Sequence, residues 1–263
     1  MRPEITIRAL ADNWRSLTGW IAGTTLAAVM YASFYPQLAD GQMAEAVASY
    51  PQAMRDALRM DDLTSAAGYL GSTVFGIILP LAAMLYGAFT GSRAVAGDEE
   101  TGYLDLLLAH PASRTGLVLS RFAALAAGAT GIAATVFVAM LAIRTSADLT
   151  GIAVAGFAAQ CLNLALLAIV FGALGIGISA ATGRRALVLA LTAIIGVLAY
   201  ALHAFARPIG VPGAARLSPF HYYIGGEPLR NGFQWTHTAV LAIASIVLVA
   251  AGTVWFNRRD INT

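Results

Sequence analysis

The sequence predicts an all-α membrane protein with six transmembrane helices. Of its 263 residues, 58% are hydrophobic and 11% are charged, whereas an ordinary soluble domain is about 25% charged. The apolar residues fall into blocks long enough to cross a hydrocarbon layer of about 30 Å as helices. The blocks are far longer than the roughly ten residues of a barrel strand and do not alternate strictly, which favours helices over a β-barrel.

The predicted spans lie at about 17–34, 67–89, 117–143, 152–180, 187–205 and 238–256. They form one transmembrane domain over residues 1–263, because no long repeat, low-complexity linker or soluble module separates them. Residues 1–16 combine arginines with a rough apolar face, which predicts an N-terminal helix on the membrane surface. Residues 36–66 predict two short amphipathic helices that are broken at Pro51.

The arginines predict the orientation of the chain. All 16 basic residues are Arg, and with the N-terminus inside, ten of them fall in cytoplasmic segments and six in outer ones. Cytoplasmic segments carry the excess of positive charge, so both termini are expected in the cytoplasm. Trp14, Trp20, Trp235 and Trp255 fall near predicted span ends, where indole rings favour the interface. The heavy use of Arg and Ala indicates a GC-rich bacterial genome, and hence a bacterial plasma membrane.

Several functions are excluded by residues that the sequence lacks. A Walker A loop and a Schiff-base enzyme both need a lysine. The net charge of +2 is too small to indicate a nucleic-acid partner. The single cysteine, Cys161, lies in an apolar block and is expected to be a packing residue. The four histidines show no paired ligand spacing, so no metal site is expected.

The spans contain a few residues that allow more than one interpretation. Pro80 frees a carbonyl and kinks the second span, either as part of a gating motion or as a purely structural kink. Ser179 lies in a motif that loosely resembles an intramembrane serine protease but lacks the following glycine, and a buried serine usually bonds its own helix. The small residues Gly68 and Gly71 in the second span, and Gly172, Gly175 and Gly177 in the fourth, favour close helix packing, within one chain or between two. Charged residues are nearly absent from span interiors, which argues against an ion-driven carrier.

The segment between the second and third spans is the most informative. Its residues are Gly97-Asp98-Glu99-Glu100-Thr101-Gly102-Tyr103-Leu104-Asp105-Leu106-Leu107-Leu108-Ala109-His110-Pro111-Ala112-Ser113-Arg114. Acids are favoured near a helix N-terminus, and Leu104, Leu107 and Leu108 share one apolar face. Pro111 ends this helix, and Ser113 is a suitable N-cap for the next. The helix rests on lipid or docks on a cytosolic partner; acids beside anionic headgroups favour the partner.

The string from Glu99 to Arg114 resembles the pattern E-E-x-x-G-T-L-[DE]-L-L-L-[AS]-x-P-[VI]-S-R of permease subunits of type-2 ABC exporters, the ABCG-like group. It has one residue instead of two before Gly102, Tyr103 in place of Thr, and Ala112 in place of Val or Ile. The resemblance extends to the N-terminal surface helix, the six spans, the polar stretch Leu217-Ser218-Pro219-Phe220 and the ending Phe256-Asn257-Arg258-Arg259-Asp260-Ile261.

The resemblance implies a permease that is not itself an enzyme and binds no cofactor. ATP and Mg would be bound by a separate ATPase subunit, and a second permease, identical or homologous, would complete an exporter of a hydrophobic or amphipathic substrate, as in multidrug or natural-product efflux. The residues expected to contact the ATPase are Glu99, Glu100, Leu104, Leu107 and Arg114, with Gly102 and Pro111 setting the bends. Those expected on the substrate path, lined by the second and fifth spans, are Phe75, Pro80, Met84 and Tyr200. Two alternatives remain: an ATP-independent scaffold or metalloenzyme-maturation factor, and a membrane-embedded hydrolase.

Overall fold

The computed structural model describes residues 14–38, 50–52, 54–55, 65–100, 102, 113–206 and 208–258. Within these ranges six helices are long and apolar enough to cross a membrane. They are α1 (Trp14–Ser33), α2 (Ala66–Arg93), α3 (Arg114–Ala142), α4 (Val154–Thr182), α5 (Arg185–Phe205) and α6 (Trp235–Arg258). The predicted all-α class and the six spans are confirmed, and the predicted ends differ from the observed ones by a few residues.

Some predicted elements lie outside the described residues. These are residues 1–13 of the surface helix predicted over 1–16, whose last three residues are instead the first turn of α1, most of the two amphipathic helices in the 36–66 interval, and the leucine-bearing part of the segment that precedes α3. The helical turn Tyr35–Leu38 follows α1 directly. Ser113 is the N-cap of α3, as predicted, and its hydroxyl accepts a hydrogen bond from the Gly116 N–H at 3.0 Å.

Helix α4 is the centre of the bundle. It packs against α2, α3, α5 and α6, and 72% of its most apolar window is buried, against 17% for α1 and for α5. A helix that is apolar on every side is favoured in such a central position, and α4 contains no charged residue. The lone Cys161 is buried in it, as predicted. Helices α1 and α5 lie at the periphery.

Glycines set the closest contacts of α4. A Cβ atom on Gly91 of α2 would lie 2.8 Å from the Gly172 carbonyl oxygen and 2.9 Å from the Cα of Gly175. On the other side of α4, a Cβ on Gly252 of α6 would lie 2.7 Å from the Cα of Gly177. These glycines therefore allow helices of one chain to approach closely. Of the two interpretations for the three glycines of α4, packing within one chain or between two chains, the structure supports packing within one chain.

The connection between α5 and α6 folds back against the bundle. It contains a 3-10 helix, Pro212–Leu217, and two short α-helices, Pro219–Ile224 and Pro228–Asn231. The Asn163 amide of α4 donates to the Tyr223 carbonyl at 3.2 Å and accepts from the Thr238 hydroxyl at 3.1 Å. The first bond, which is buried, joins the connection to α4, and the second joins α6 to the same side chain of α4, so the polar stretch is part of the packed structure.

Candidate coupling surface and substrate path

A five-residue helix, Ala96–Glu100, follows α2 after two buried residues and carries three acids. We call it the acidic helix. The Ser179 hydroxyl of α4 accepts from the Ala96 N–H at 2.7 Å and from the Val95 N–H at 3.3 Å. All three residues are fully buried, so the hydroxyl satisfies two amides at the start of the helix. Ser179 therefore binds a neighbouring element as an acceptor, a role that the sequence analysis did not assign to it.

Asp98 joins the acidic helix to α3. Its carboxylate lies 2.7 Å from the Arg121 guanidinium, and both side chains are mostly shielded from solvent. Burial raises the pKa of the Asp98 carboxyl, and Arg121 opposes this rise by favouring the charged form. An ion pair in this shielded position fixes the orientation of the acidic helix more than it adds to stability.

Glu100 joins the acidic helix to α5. Its carboxylate oxygen accepts from the Arg185 backbone N–H at 2.8 Å, and Arg185 is the first residue of α5. A negative charge is favoured there because the first amides of a helix carry partial positive charge. The acids were expected to be stabilised by the start of their own helix, but Asp98 and Glu100 instead meet positive groups of α3 and α5. Glu99 is half-buried in the same helix.

Gly102 ends this part of the chain in a left-handed conformation, with φ of 71°. Its N–H donates to the Glu99 carbonyl at 3.1 Å, which is a common end for a helix. Gly102 thus has the backbone conformation that favours glycine, and a bend that serves coupling stays a prediction. Leu104, Leu107 and Pro111 lie outside the described residues, so their part in coupling stays a prediction.

Arg114 lies at the start of α3 and is bound to the end of α6. Its guanidinium donates to the Phe256 carbonyl at 3.0 Å and lies 5.4 Å from the centre of the Phe256 ring. The neighbouring Asn257 amide donates to the Thr115 hydroxyl at 3.1 Å. A cation at a helix C-terminus is electrostatically favoured. Arg114 therefore fastens α3 to α6 in this chain, and its contact with an ATPase stays a prediction.

The predicted path residues Pro80 and Tyr200 are linked through the Gly76 carbonyl, where α2 packs against α5. Pro80 has no N–H to give to the carbonyl four residues earlier, which belongs to Gly76. The Tyr200 hydroxyl donates to this Gly76 carbonyl at 3.2 Å. The turn before Pro80 is a π-helix, Val74–Ile78, a local irregularity that is frequent at functional sites. A hydrogen bond from α5 thus replaces one that the proline removes from α2.

The other two predicted path residues are enclosed within the chain. Met84 packs with its thioether against Gly196 of α5, where a Cβ atom would displace the methionine side chain. Phe75 is fully buried in the π-helical turn. Of the four predicted path residues, Tyr200 is the most exposed, and its ring meets that of Phe220 edge-on at 5.3 Å. The α2–α5 seam, defined by Gly76, Pro80, Met84, Gly196 and Tyr200, is therefore closed in this conformation.

Three histidines that are dispersed in the sequence come together in space. The ring of His221, in the connection, lies 6.3 Å from that of His203 of α5 and 5.6 Å from that of His237 of α6. Their separations of 18 and 16 residues give no pattern that reveals this cluster. Within the described ranges, no group of three or more His, Cys, Asp or Glu residues is placed to hold a metal ion.

Six long apolar helices define a multi-pass membrane protein. A family model described as ABC-2 family transporter protein matches residues 5–261. The chain therefore belongs to the ABC-2 transporter family and is the permease component of an ABC transporter, which confirms the resemblance found in the sequence. Such permeases work with an ATPase subunit. No curated protein matches the chain.

Proposed function

We propose that this chain is the permease subunit of an ATP-driven exporter and that the acidic helix receives the movement of a separate ATPase subunit. Its attachment to the spans is the observation that supports the proposal. The helix continues from α2 and is joined to α3 through Asp98, to α4 through Ser179 and to α5 through Glu100. A force applied to it therefore acts on four spans at once.

The path for a hydrophobic or amphipathic substrate follows the α2–α5 seam in this proposal. The seam is held by one hydroxyl bond and by apolar packing. On the far side of α5, Leu191, Ile194 and Leu198 are exposed, the last at 63%, so this helix has an apolar surface for a second permease. ATP binding would bring the two ATPase subunits together, displace the acidic helices and open the path to the opposite side.

The test is to express the tagged chain in its native host, purify it in mild detergent and identify what accompanies it. We expect a subunit with a Walker A loop in equal amount. Glu99→Arg/Glu100→Arg is expected to weaken its retention roughly tenfold, since two ionic contacts become repulsive. In proteoliposomes, this variant is expected to insert normally while ATP hydrolysis loses its coupling to transport.

The matched control is Asp148→Arg/Glu227→Arg. Both acids are exposed or half-exposed and lie in loops at the opposite end of the bundle, so the same change of charge is expected to leave the ATPase bound. A second control is Glu100→Gln, which keeps an oxygen acceptor for the Arg185 N–H and removes the negative charge. It therefore distinguishes the loss of the hydrogen bond within the chain from the loss of the ionic contact with the partner. Full transport in Glu99→Arg/Glu100→Arg would disprove the assignment of the acids. A chain that purifies alone, or with a periplasmic enzyme, would favour the scaffold or maturation role.

A further inference from the structure

The short helix Pro219–Ile224 of the connection is bound to α5, and we call it the lid helix. The Ser218 hydroxyl at its start donates to the Ala199 carbonyl of α5 at 2.7 Å. Ala199 lies about 21 Å along α5 from the end of this helix that Glu100 contacts. The lid helix is therefore far from the acidic helix, toward the opposite end of the bundle.

The lid helix is supported by a residue of the α2–α5 seam. The Phe220 ring lies 5.3 Å from that of Tyr200, edge-on, and 5.6 Å from that of Phe171 of α4. The Tyr200 hydroxyl also donates to the Gly76 carbonyl of α2, so one side chain contacts both the seam and the lid helix. A movement that opens the seam at Tyr200 therefore removes part of the support of the lid helix.

Two amide side chains of α4 meet the lid helix in different ways. Asn163 is bonded at both ends, to the Tyr223 carbonyl and to the Thr238 hydroxyl. Gln160, one turn away on α4, is fully buried, yet neither its Nε2 nor its Oε1 atom has a hydrogen-bond partner among the residues that the structure describes. The Tyr223 hydroxyl is buried and unbonded in the same way, although it lies beside the Gln160 side chain.

These unbonded groups make the closed position of the lid helix unfavourable. All three atoms are enclosed, so a water molecule has no room to bond them in this arrangement. A small shift that paired the Tyr223 hydroxyl with Gln160 would leave at least one N–H of the amide unsatisfied, since an amide side chain carries two N–H donors and a carbonyl. Buried polar groups without partners cost free energy, and separation of the lid helix from α4 would relieve this cost.

We propose that the lid helix is the gate of the substrate path at the end opposite the acidic helix, and that Gln160 and Tyr223 bias this gate toward opening. The assignment to the path rests on the function proposed above. Asn163 and the packing of Phe220 hold the gate closed, whereas the two unbonded side chains keep the closed and open states close in free energy. In the open state, the Gln160 amide and the Tyr223 hydroxyl offer hydrogen bonds to the polar part of an amphipathic substrate.

Cys161 provides the probe for this gate. It is the only cysteine of the sequence, it is 4% exposed, and it lies next to Gln160 in the chain and near the Tyr223 side chain. A water-soluble maleimide reaches its thiol when the lid helix leaves α4, so the labelling rate reports the open fraction. The rate is measured by mass spectrometry on the purified chain in mild detergent, without any ATPase subunit. Division by the rate of the unfolded chain corrects for each changed neighbour.

Gln160→Met keeps the unbranched shape of the side chain and removes both unbonded atoms. We expect it to slow the labelling of Cys161 by about 5–150-fold, because the closed state no longer contains an unsatisfied amide. Tyr223→Phe removes the unbonded hydroxyl of the lid helix itself and is expected to slow the labelling as well. Asn163→Leu is the matched control, since it removes a buried amide that is bonded at both ends, and it is expected to accelerate the labelling.

Tyr200→Ala tests the link between the lid helix and the seam. It removes the ring that supports Phe220 and is expected to accelerate the labelling of Cys161. Tyr31→Ala, which changes an exposed tyrosine of α1, is its control and should leave the rate unchanged.

Two results would overturn the proposal. Labelling that is unchanged or faster in both Gln160→Met and Tyr223→Phe would show that these side chains do not favour opening. An unchanged rate in Tyr200→Ala would show that the lid helix moves independently of the seam and is not its gate. Because no ATPase is present, neither result depends on the acidic helix, and a failure of the proposed coupling would appear in the co-purification instead.

Discussion

The bond network around Ser179 makes a quantitative prediction about the acidic helix. Ser179→Ala removes the one hydroxyl that accepts from the Val95 and Ala96 amides, at 3.3 Å and 2.7 Å. Both amides belong to fully buried residues, so water cannot replace the lost acceptor without local opening. Leaving a buried donor unsatisfied costs about 1–3 kcal/mol. The acidic helix has only five residues and little stability of its own. The lost hydrogen bonds therefore weaken the docking of this helix against α4.

The expected result is faster amide exchange in the segment 94–100. A change of about 1–3 kcal/mol shifts a docking equilibrium by about 5–150-fold, and amides that exchange through local opening report this shift directly. The assay is hydrogen–deuterium exchange with mass spectrometry in detergent or nanodiscs. Ser120→Ala is the control, because Ser120 is also buried but its hydroxyl donates to the Gly116 carbonyl of its own helix. Unchanged protection of residues 94–100 in Ser179→Ala would refute the reasoning.

Two further predictions concern the contacts of α2. Tyr200→Phe removes the donor to the Gly76 carbonyl and is expected to destabilise the chain by about 0.6 kcal/mol in reversible unfolding in mixed micelles. The cost should vanish in a Pro80→Ala background, where residue 80 supplies its own N–H, and an equal cost in both backgrounds would contradict this account. Gly91→Ala places a Cβ within 3 Å of the α4 backbone and is expected to cost about 1–3 kcal/mol, measured as a lower melting temperature. Gly131→Ala, which meets nothing within 4 Å, is its control and should leave the melting temperature unchanged.

Most of the fold follows from hydropathy alone. Each span is a continuous apolar block, and a chain in lipid has few alternatives to the helix because its backbone groups must be satisfied internally. The central position of α4 is less evident, although it is the span without a single charged residue. The ends of the spans were predicted less well, because polar residues such as Arg93 and Arg114 continue the helices beyond the apolar blocks.

The contacts between distant residues could not be predicted. Nothing in the sequence pairs Ser179 with Val95, 84 positions away, or Tyr200 with Gly76, 124 positions away. In both cases, however, one partner was recognisable: a serine in an apolar span and a proline that frees a carbonyl are groups that need a partner. For Pro80, sequence reasoning identified the freed carbonyl, and the packing of the helices supplied Tyr200 as its donor. For Ser179, sequence reasoning expected a bond within its own helix, and its contact with the acidic helix was not foreseen. The histidine cluster had no such signal.

The attachments of the acidic helix also limit how the bundle can move. Gly91 lies so close to the α4 backbone that even a Cβ atom would clash there, so α2 and α4 form a tightly packed pair. Helix α5 is different, because little of it is buried and a single hydroxyl bond from Tyr200 supplements its packing on α2. A displacement of the acidic helix that carries α2 and α4 together, and pulls α5 through Glu100, would therefore act on the α2–α5 seam first. We expect Tyr200→Phe to favour the open α2–α5 seam, whereas Gly91→Ala should disturb the packing of α2 on α4, the two helices that move together.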